Sequence, residues 1–307
     1  MKKACVSQEK YSRIHPRTQA VSALRGLSEE DFPWYNGSGK KTEQGGPGMA
    51  TVYSPNEEFH LKTVPGDVGR YVLLCGDPAR CEKIAAYFDT AAFVKSNREY
   101  TIYTGTLEGE KVSVCSTGIG SPSLAIAVEE LIHCGADTFI RIGSAGGMAP
   151  EVLGGDVVIA SGAIRMEGTS KEYAPIEYPA VADYGIVNAL ADAAGEEKVP
   201  FHVGVLHNKD NFYGQHNPDS MPVREELKAK WNAFVECGAL ASEMESSALF
   251  IICSVRRARA GALVQVFANQ TRRAMGLEDP MTLDTDPAIR VGVRGLRKLI
   301  LRDRAGK

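Results

Sequence analysis

The stretch TFIRIGSAGG, residues 138–147, reads as a buried strand running into a turn of small residues. Phe139, Ile140 and Ile142 are apolar on both parities of the strand, the mark of a strand covered on both faces. Such strands belong to parallel sheets with helices packed on either side. Arg141 does not fit that setting by default. A buried guanidinium without a partner is costly, so Arg141 needs either an internal carboxylate or an anion from outside.

Outward from this stretch, strand and helix signals alternate. YVLLC (71–75), YTIYTGTL (100–107) and KVSVCST (111–117) are rich in β-branched and aromatic residues, and Glu108-Gly109-Glu110 turns the second into the third. SPSLAIAVEELIHCG (121–135) predicts a helix with Ser121 as N-cap, Pro122 at the first helical position and Gly135 just past the end. Strands at 138–143, 155–160, 203–207 and 261–268 then bracket helices at 183–194, 223–236, 243–257 and 287–302. The pattern implies an α/β sandwich over residues 58–307, one mixed sheet flanked by helices in a single domain. Residues 1–57 read as an N-terminal extension, partly irregular, because PWYNGSGKKTEQGGPGM is rich in Gly, Pro and polar groups and follows neither period.

With 44% hydrophobic and 24% charged residues in 307, the chain can bury a sizeable core. A net charge of −3 provides no general basic field for nucleic acid or an anionic membrane, so any anion site must be local. The apolar run ALFIICSV (248–255) falls well short of the ~18 residues that a membrane span needs. The opening MKKACVSQEKYSR lacks the apolar region of a secretory signal. Seven cysteines, an odd number with no C-x-x-C pair, predict reduced structural thiols in a cytoplasmic setting.

Four stretches carry chemistry. In LLCGDPARCEKIA (73–85) a strand ends at Gly76 and a helix begins with Arg80 in its first turn, which makes either an anion site or an ordinary turn with a surface arginine. STGIGSPSLA (116–125) places Gly118 and Gly120 where a dinucleotide fingerprint would sit, yet the third position is Ser123 and Asp137 starts a strand instead of ending one. LASEMESSALF (240–250) is open to two readings. Ser242-x-x-Glu245 can be a capping box, or Glu245 can face a cleft and accept from a sugar diol with Met244 against the ribose. HNKDNFYGQHN (207–217) sets Lys209, Gln215 and His216 among Phe212 and Tyr213, a loop able to read the edge of a planar heterocycle or simply a surface turn.

In order, FHLKT, CGDPAR, SNREY, STGIGSPS, RIGSAGG, GDVVIASGAIR, FYGQH, SEMESSALF and VFANQ, spanning residues 59–270, resemble the uridine phosphorylases of the trimer-of-dimers nucleoside phosphorylase superfamily. The resemblance implies a three-layer fold whose central sheet is partly barrel-like. It implies reversible phosphorolysis of uridine in pyrimidine salvage, with inorganic phosphate as co-substrate and no cofactor. By the same resemblance Gly76, Arg80, Arg141 and Ser144 hold phosphate, and Arg98 reaches in from a neighbouring subunit. Met244 and Glu245 hold the ribose with Glu243 in support, and the neighbour's His60 touches its end. Phe212 and Gln215 meet the base, with Phe267 beside it. A structural cation between subunits is implied near Glu99, Ile119 and Ser123. The chain departs from the bacterial pattern at Asn217, where an arginine would follow the glutamine. It resembles instead a subfamily with a KDxFYGQH-like loop, in which Lys209 and His216 take that arginine's task. A homo-oligomer with shared sites follows, either a dimer or a trimer of dimers.

The chemistry agrees with these residues. Phosphorolysis sends an anion to C1′ while the base departs with negative charge, so it needs cations at one end and donors at the other. A nucleoside hydrolase on the same scaffold would have no use for three converging arginines, and a noncatalytic nucleoside-binding protein would have no need to hold phosphate.

Overall fold

The computed structural model describes residues 57–306. The extension expected over residues 1–57 falls, but for Glu57, outside the described residues, as does Cys5. Strands β1 (Tyr71–Cys75), β2 (Thr90–Asn97), β3 (Tyr100–Leu107), β4 (Glu110–Ser116), β5 (Thr138–Gly147), β6 (Val157–Arg165), β7 (Ala180–Val181), β8 (Phe201–Asn208), β9 (Ala241–Glu243) and β10 (Arg259–Asn269) form one mixed sheet. Its order is β10-β6-β8-β9-β5-β1-β4-β3-β2, and a further β10–β5 pairing closes β5, β10, β6, β8 and β9 into a ring. Strands β1, β4, β3 and β2 extend from β5 as a wing, and β7 pairs with β6. The partly barrel-like sheet is therefore present.

Strand β5 lies between β1 and β10, parallel to both. Its apolar residues divide between two cores. Phe139 joins the core that contains Leu124, Leu131 and Leu249, from α2 (Ser121–His133) and α7 (Ser246–Arg256). Ile140 and Ile142 join the core that contains Ile84, Leu190 and Leu296, from α1 (Pro78–Ala85), α4 (Tyr184–Glu197) and α9 (Asp286–Ala305). This is the two-faced burial that the run of apolar residues predicts.

Two local expectations need correction. The small-residue segment after Ile142 is not a turn, because β5 continues to Gly147 and pairs with β10 and, at Gly146 and Gly147, with β9. Small residues serve ring closure there: a Cβ on Gly147 would lie 2.7 Å from Asn269 Nδ2. Helix α2 is capped by Gly120 rather than Ser121, since φ of +98° at Gly120 turns the chain into the helix one residue earlier. The wing strand β2 carries an exposed, weakly patterned sequence, TAAFVKSN, and gives no clear signal. The six described cysteines are all free, although Cys75 and Cys81 Sγ lie 3.5 Å apart. Among the described residues no helix is long and apolar enough to cross a membrane.

Candidate active site

The site gathers where β5, β9 and the turns after β1 and β4 meet. Arg141 is 4% exposed. Its Nε donates to Glu243 Oε2 at 3.2 Å and its Nη2 pairs with Glu245 Oε2. Internal carboxylates thus occupy two edges of the guanidinium, one of the two kinds of partner that its burial calls for. The third edge is left over: Nη1 is buried and has no hydrogen-bond partner. Burial pulls the Arg141 pKa down, but Glu245 and Glu243 outweigh it and hold it above its ordinary value. Burial pushes the Glu243 carboxyl up, against the opposing pull of Arg141.

The two carboxylates are fixed by backbone. Glu243 accepts from the amides of Glu245 and Ser246 at 3.0 and 2.9 Å, and Glu245 accepts from the Gly120 amide at 2.6 Å. The Ser242-x-x-Glu245 capping box therefore does not form. Ser242 and Glu243 lie in β9, helix α7 begins at Ser246, and Glu243 receives the first helical amide. Competition for Glu245 explains this, because the carboxylate reaches Gly120 and Arg141 rather than back toward Ser242. The same contact disposes of the dinucleotide reading, since the Gly120 amide is given to Glu245. Ser121 Oγ donates to Met244 O at 2.9 Å and braces the turn between the two glutamates.

Arg80 reaches across from α1 to the same place, its Nη1 donating to Ile142 O at 3.2 Å. Among the described residues it makes no ion pair. Burial lowers its pKa, and the nearby Arg141 charge lowers it further. Gly76 sits at the turn before α1, close against Gly118 O, and Ser144 is half-buried in β5 beyond Arg141. Arg80 is near enough to feel the Arg141 charge, and Arg141 Nη1 is an orphaned donor, so the two are candidates to hold an anion.

The base-reading candidates form a second cluster. Lys209 Nζ donates to Ser242 Oγ at 2.8 Å and lies 3.4 Å from Glu243 O, while Ser242 Oγ also contacts Gln215 Oε1 at 2.8 Å. Burial pulls the Lys209 pKa down to about 8, with Glu243 and Glu245 opposing. Phe212 and His216, in α5 (Phe212–His216), stack with centroids 4.3 Å apart. Burial, then Lys209, lowers the His216 pKa. Phe267 is the bulged residue of β10, between Val266 and Ala268. A cavity of about 340 Å³ opens beside Lys209 and Gln215, lined also by Met166, His207, Leu227 and Trp231. The phosphate and ribose candidates do not line it, nor do Phe212, His216 and Phe267.

His60 and Arg98 stand apart from these clusters and close to each other. Asn97 Nδ2 donates to His60 O at 2.7 Å, and Arg98, with φ of +54°, forms the exposed turn between β2 and β3. Glu99 and Ser123 are joined by a 2.8 Å hydrogen bond beside the exposed Ile119. Two residues escaped the sequence reading. Glu130, on α2, accepts from His60 N and Leu61 N and pairs with His60 Nδ1 at 2.6 Å. Gln270 lies 3.4 Å from Gln215 Nε2. The sequence sets Glu130 beside a second acid, Glu129, in a mainly apolar helix, which does not single it out, and the second residue has no signal.

The chain belongs to the phosphorylase superfamily, whose family model matches residues 70–285. A uridine phosphorylase of Treponema pallidum is 58% identical over 83% of this chain and 99% of its own length. A uridine phosphorylase of Thermococcus kodakarensis is 42% identical over 71% of this chain and 80% of that one. A guanosine phosphorylase of Halorubrum lacusprofundi is 40% identical over 68% and 83%.

The ion cluster changes what substitution should do. Arg141→Ala strands two buried carboxylates and should cost about 3–5 kcal/mol of stability. Arg80→Ala breaks no ion pair, so it should leave the unfolding midpoint nearly unchanged while weakening phosphate binding by at least tenfold. Chemical denaturation and phosphate titration of both variants check this; an Arg80→Ala protein with undiminished phosphate affinity would remove Arg80 from the site.

Proposed function

We propose that the chain catalyses the reversible phosphorolysis of uridine, and of deoxyuridine, to uracil and the corresponding sugar 1-phosphate. The observation that carries this reading is the orphaned Nη1 of Arg141 near Arg80, which donates to Ile142 O and among the described residues forms no ion pair. In this reading phosphate accepts from both, each charge-assisted hydrogen bond contributing roughly 1.5–3 kcal/mol. From there it attacks C1′ directly, and no side-chain nucleophile is required. Glu245 has an oxygen near enough to the cluster to accept from the ribose diol, with Met244 against the sugar. The departing base takes the bonding electrons, and donors at its carbonyls strengthen as that charge grows. Lys209, Gln215 and His216 are placed to supply them. The names of the relatives support uridine above other nucleosides, with the guanosine phosphorylase as the competitor to test against.

Uracil release from uridine should require phosphate, which separates phosphorolysis from hydrolysis and from mere binding. Inosine and guanosine should be cleaved at least a hundredfold more slowly, because a site built to pair with a uracil edge leaves its groups unpaired against a purine. Comparable rates on guanosine would overturn the choice of base.

The pH dependence follows from Lys209. Its pKa in the folded chain is about 8, so the ammonium is present below that value and lost as the pH rises through it. The rate should therefore fall on an alkaline limb near pH 8. Lys209→Met should be slow and lack that limb; a limb of the same midpoint in the variant would assign it to another group.

The placement of His60 and Arg98 together, away from Arg141, supports a homo-oligomer in which these two residues complete a neighbour's site. Mixing Arg98→Ala chains with Arg80→Ala chains after reversible dissociation should restore activity to about a quarter of wild type, because half the random pairs contain one whole site. No recovery after verified exchange would return Arg98 to its own chain. The oxygen ligands at Glu99 and Ser123 suit a hard cation in a structural role. Exchanging alkali ions in the same experiment should alter the rate of subunit exchange and leave turnover unchanged.

A further inference from the structure

The hydroxyl of Ser242 touches three base-end residues at once. It lies 2.8 Å from Lys209 Nζ, 2.8 Å from Gln215 Oε1 and 3.1 Å from His207 Nδ1. Ser242 is 3% exposed, and β9 holds its backbone between Gly146 of β5 and His207 of β8. The oxygen therefore cannot move far from any of the three.

A hydroxyl has one hydrogen and two lone pairs. An ammonium has only hydrogens to give, so Ser242 Oγ accepts from Lys209. Its own hydrogen goes to Gln215 Oε1, the shorter of the two remaining contacts. Burial, then Lys209, pushes the His207 pKa down to about 4, so its ring is neutral near pH 7 and carries one N–H. In the Nδ1–H tautomer it donates to the second lone pair, the hydroxyl is fully used, and an amide turned over would present N–H to an oxygen with no lone pair left. Gln270 Oε1, 3.4 Å from Gln215 Nε2, favours the same way round for the Gln215 amide in either tautomer.

In that orientation Gln215 keeps one lone pair on Oε1 and N–H on Nε2, a donor beside an acceptor. This edge matches a ring carbonyl next to N3–H, as in uracil. Turned through 180° it would match an exocyclic amine next to a bare N3, as in cytosine. We propose that Ser242 is a positioning residue that fixes the Gln215 amide and thereby selects 2,4-dioxopyrimidines over 4-aminopyrimidines. The inference rests on the uridine reading above, and it assigns to Ser242 a role that the capping-box reading did not contain.

The test compares Ser242→Ala and Ser242→Thr with wild type in kcat/KM for uridine and cytidine, KM for phosphate, and calorimetric binding of uracil and cytosine. Ser242→Ala should lose about tenfold on uridine, the effect of one orienting hydrogen bond, while cytidine holds or improves. The uridine preference should therefore fall by at least that factor. KM for phosphate should not change, and Ser242→Thr, which keeps the hydroxyl, should restore the preference. Should Ser242→Ala not fold, Ser242→Cys keeps the bulk with only a weak donor and reads the same ratio. Equal losses on uridine and cytidine, or an unchanged ratio, would overturn the proposal. Wild-type protein that does not cleave uridine would defeat the activity reading instead. The binding comparison would still decide Ser242: uracil alone should weaken in the alanine variant, and equal weakening of uracil and cytosine would sink the idea.

Discussion

A guanidinium placed on the central strand of a buried sheet constrains everything around it. Arg141 cannot be desolvated alone, and Glu243 and Glu245 must arrive from another element to pair with it. They come from β9 and the first residues leading into α7. Those carboxylates in turn need hydrogen bonds, which the amides of Glu245, Ser246 and Gly120 provide. One charge on β5 thereby ties together β9, the start of α7 and the turn ahead of α2. The short strand β9, only three residues long, is held in register by pairing on both sides and carries two of the residues on which the site depends, Ser242 and Glu243.

The sequence displays those parts of the fold that depend on local pattern. β5 shows its double burial through Phe139, Ile140 and Ile142, and α2 its termini through Pro122 and Gly135. The motifs at Gly76, Arg80, Arg141 and the two glutamates are visible because each is a short run in a fixed place relative to a strand end. What the sequence does not display is pairing across distance. Glu130 and His60 are 70 residues apart, and nothing local to either indicates a 2.6 Å contact. The continuation of β5 to Gly147 is hidden for a related reason. Glycines usually break strands, but here ring closure requires their small size, a demand set by β10 and Asn269.

Competition between partners explains the capping box that failed to appear. Ser242 has the right spacing to Glu245, and in an isolated helix the reciprocal bonds would form. In the folded chain each side chain has a stronger claim on it. Glu245 faces a cation and an amide, and Ser242 faces an ammonium. A motif read from spacing alone assumes that the nearest backbone amide is the best available partner, and buried charges remove that assumption.

Geometry also explains why the residue at 141 is arginine. A lysine ammonium is a compact point charge and could satisfy one carboxylate closely or two at a compromise. The planar guanidinium presents donors along separate edges, so Nε and Nη2 can bind two carboxylates while Nη1 is directed elsewhere. The internal acids offset the cost of burying the charge, and Nη1 remains buried without a partner. The same ion pairs that make Arg141 tolerable in the core thus leave one of its edges available to a further acceptor, the role that the proposed phosphate would fill.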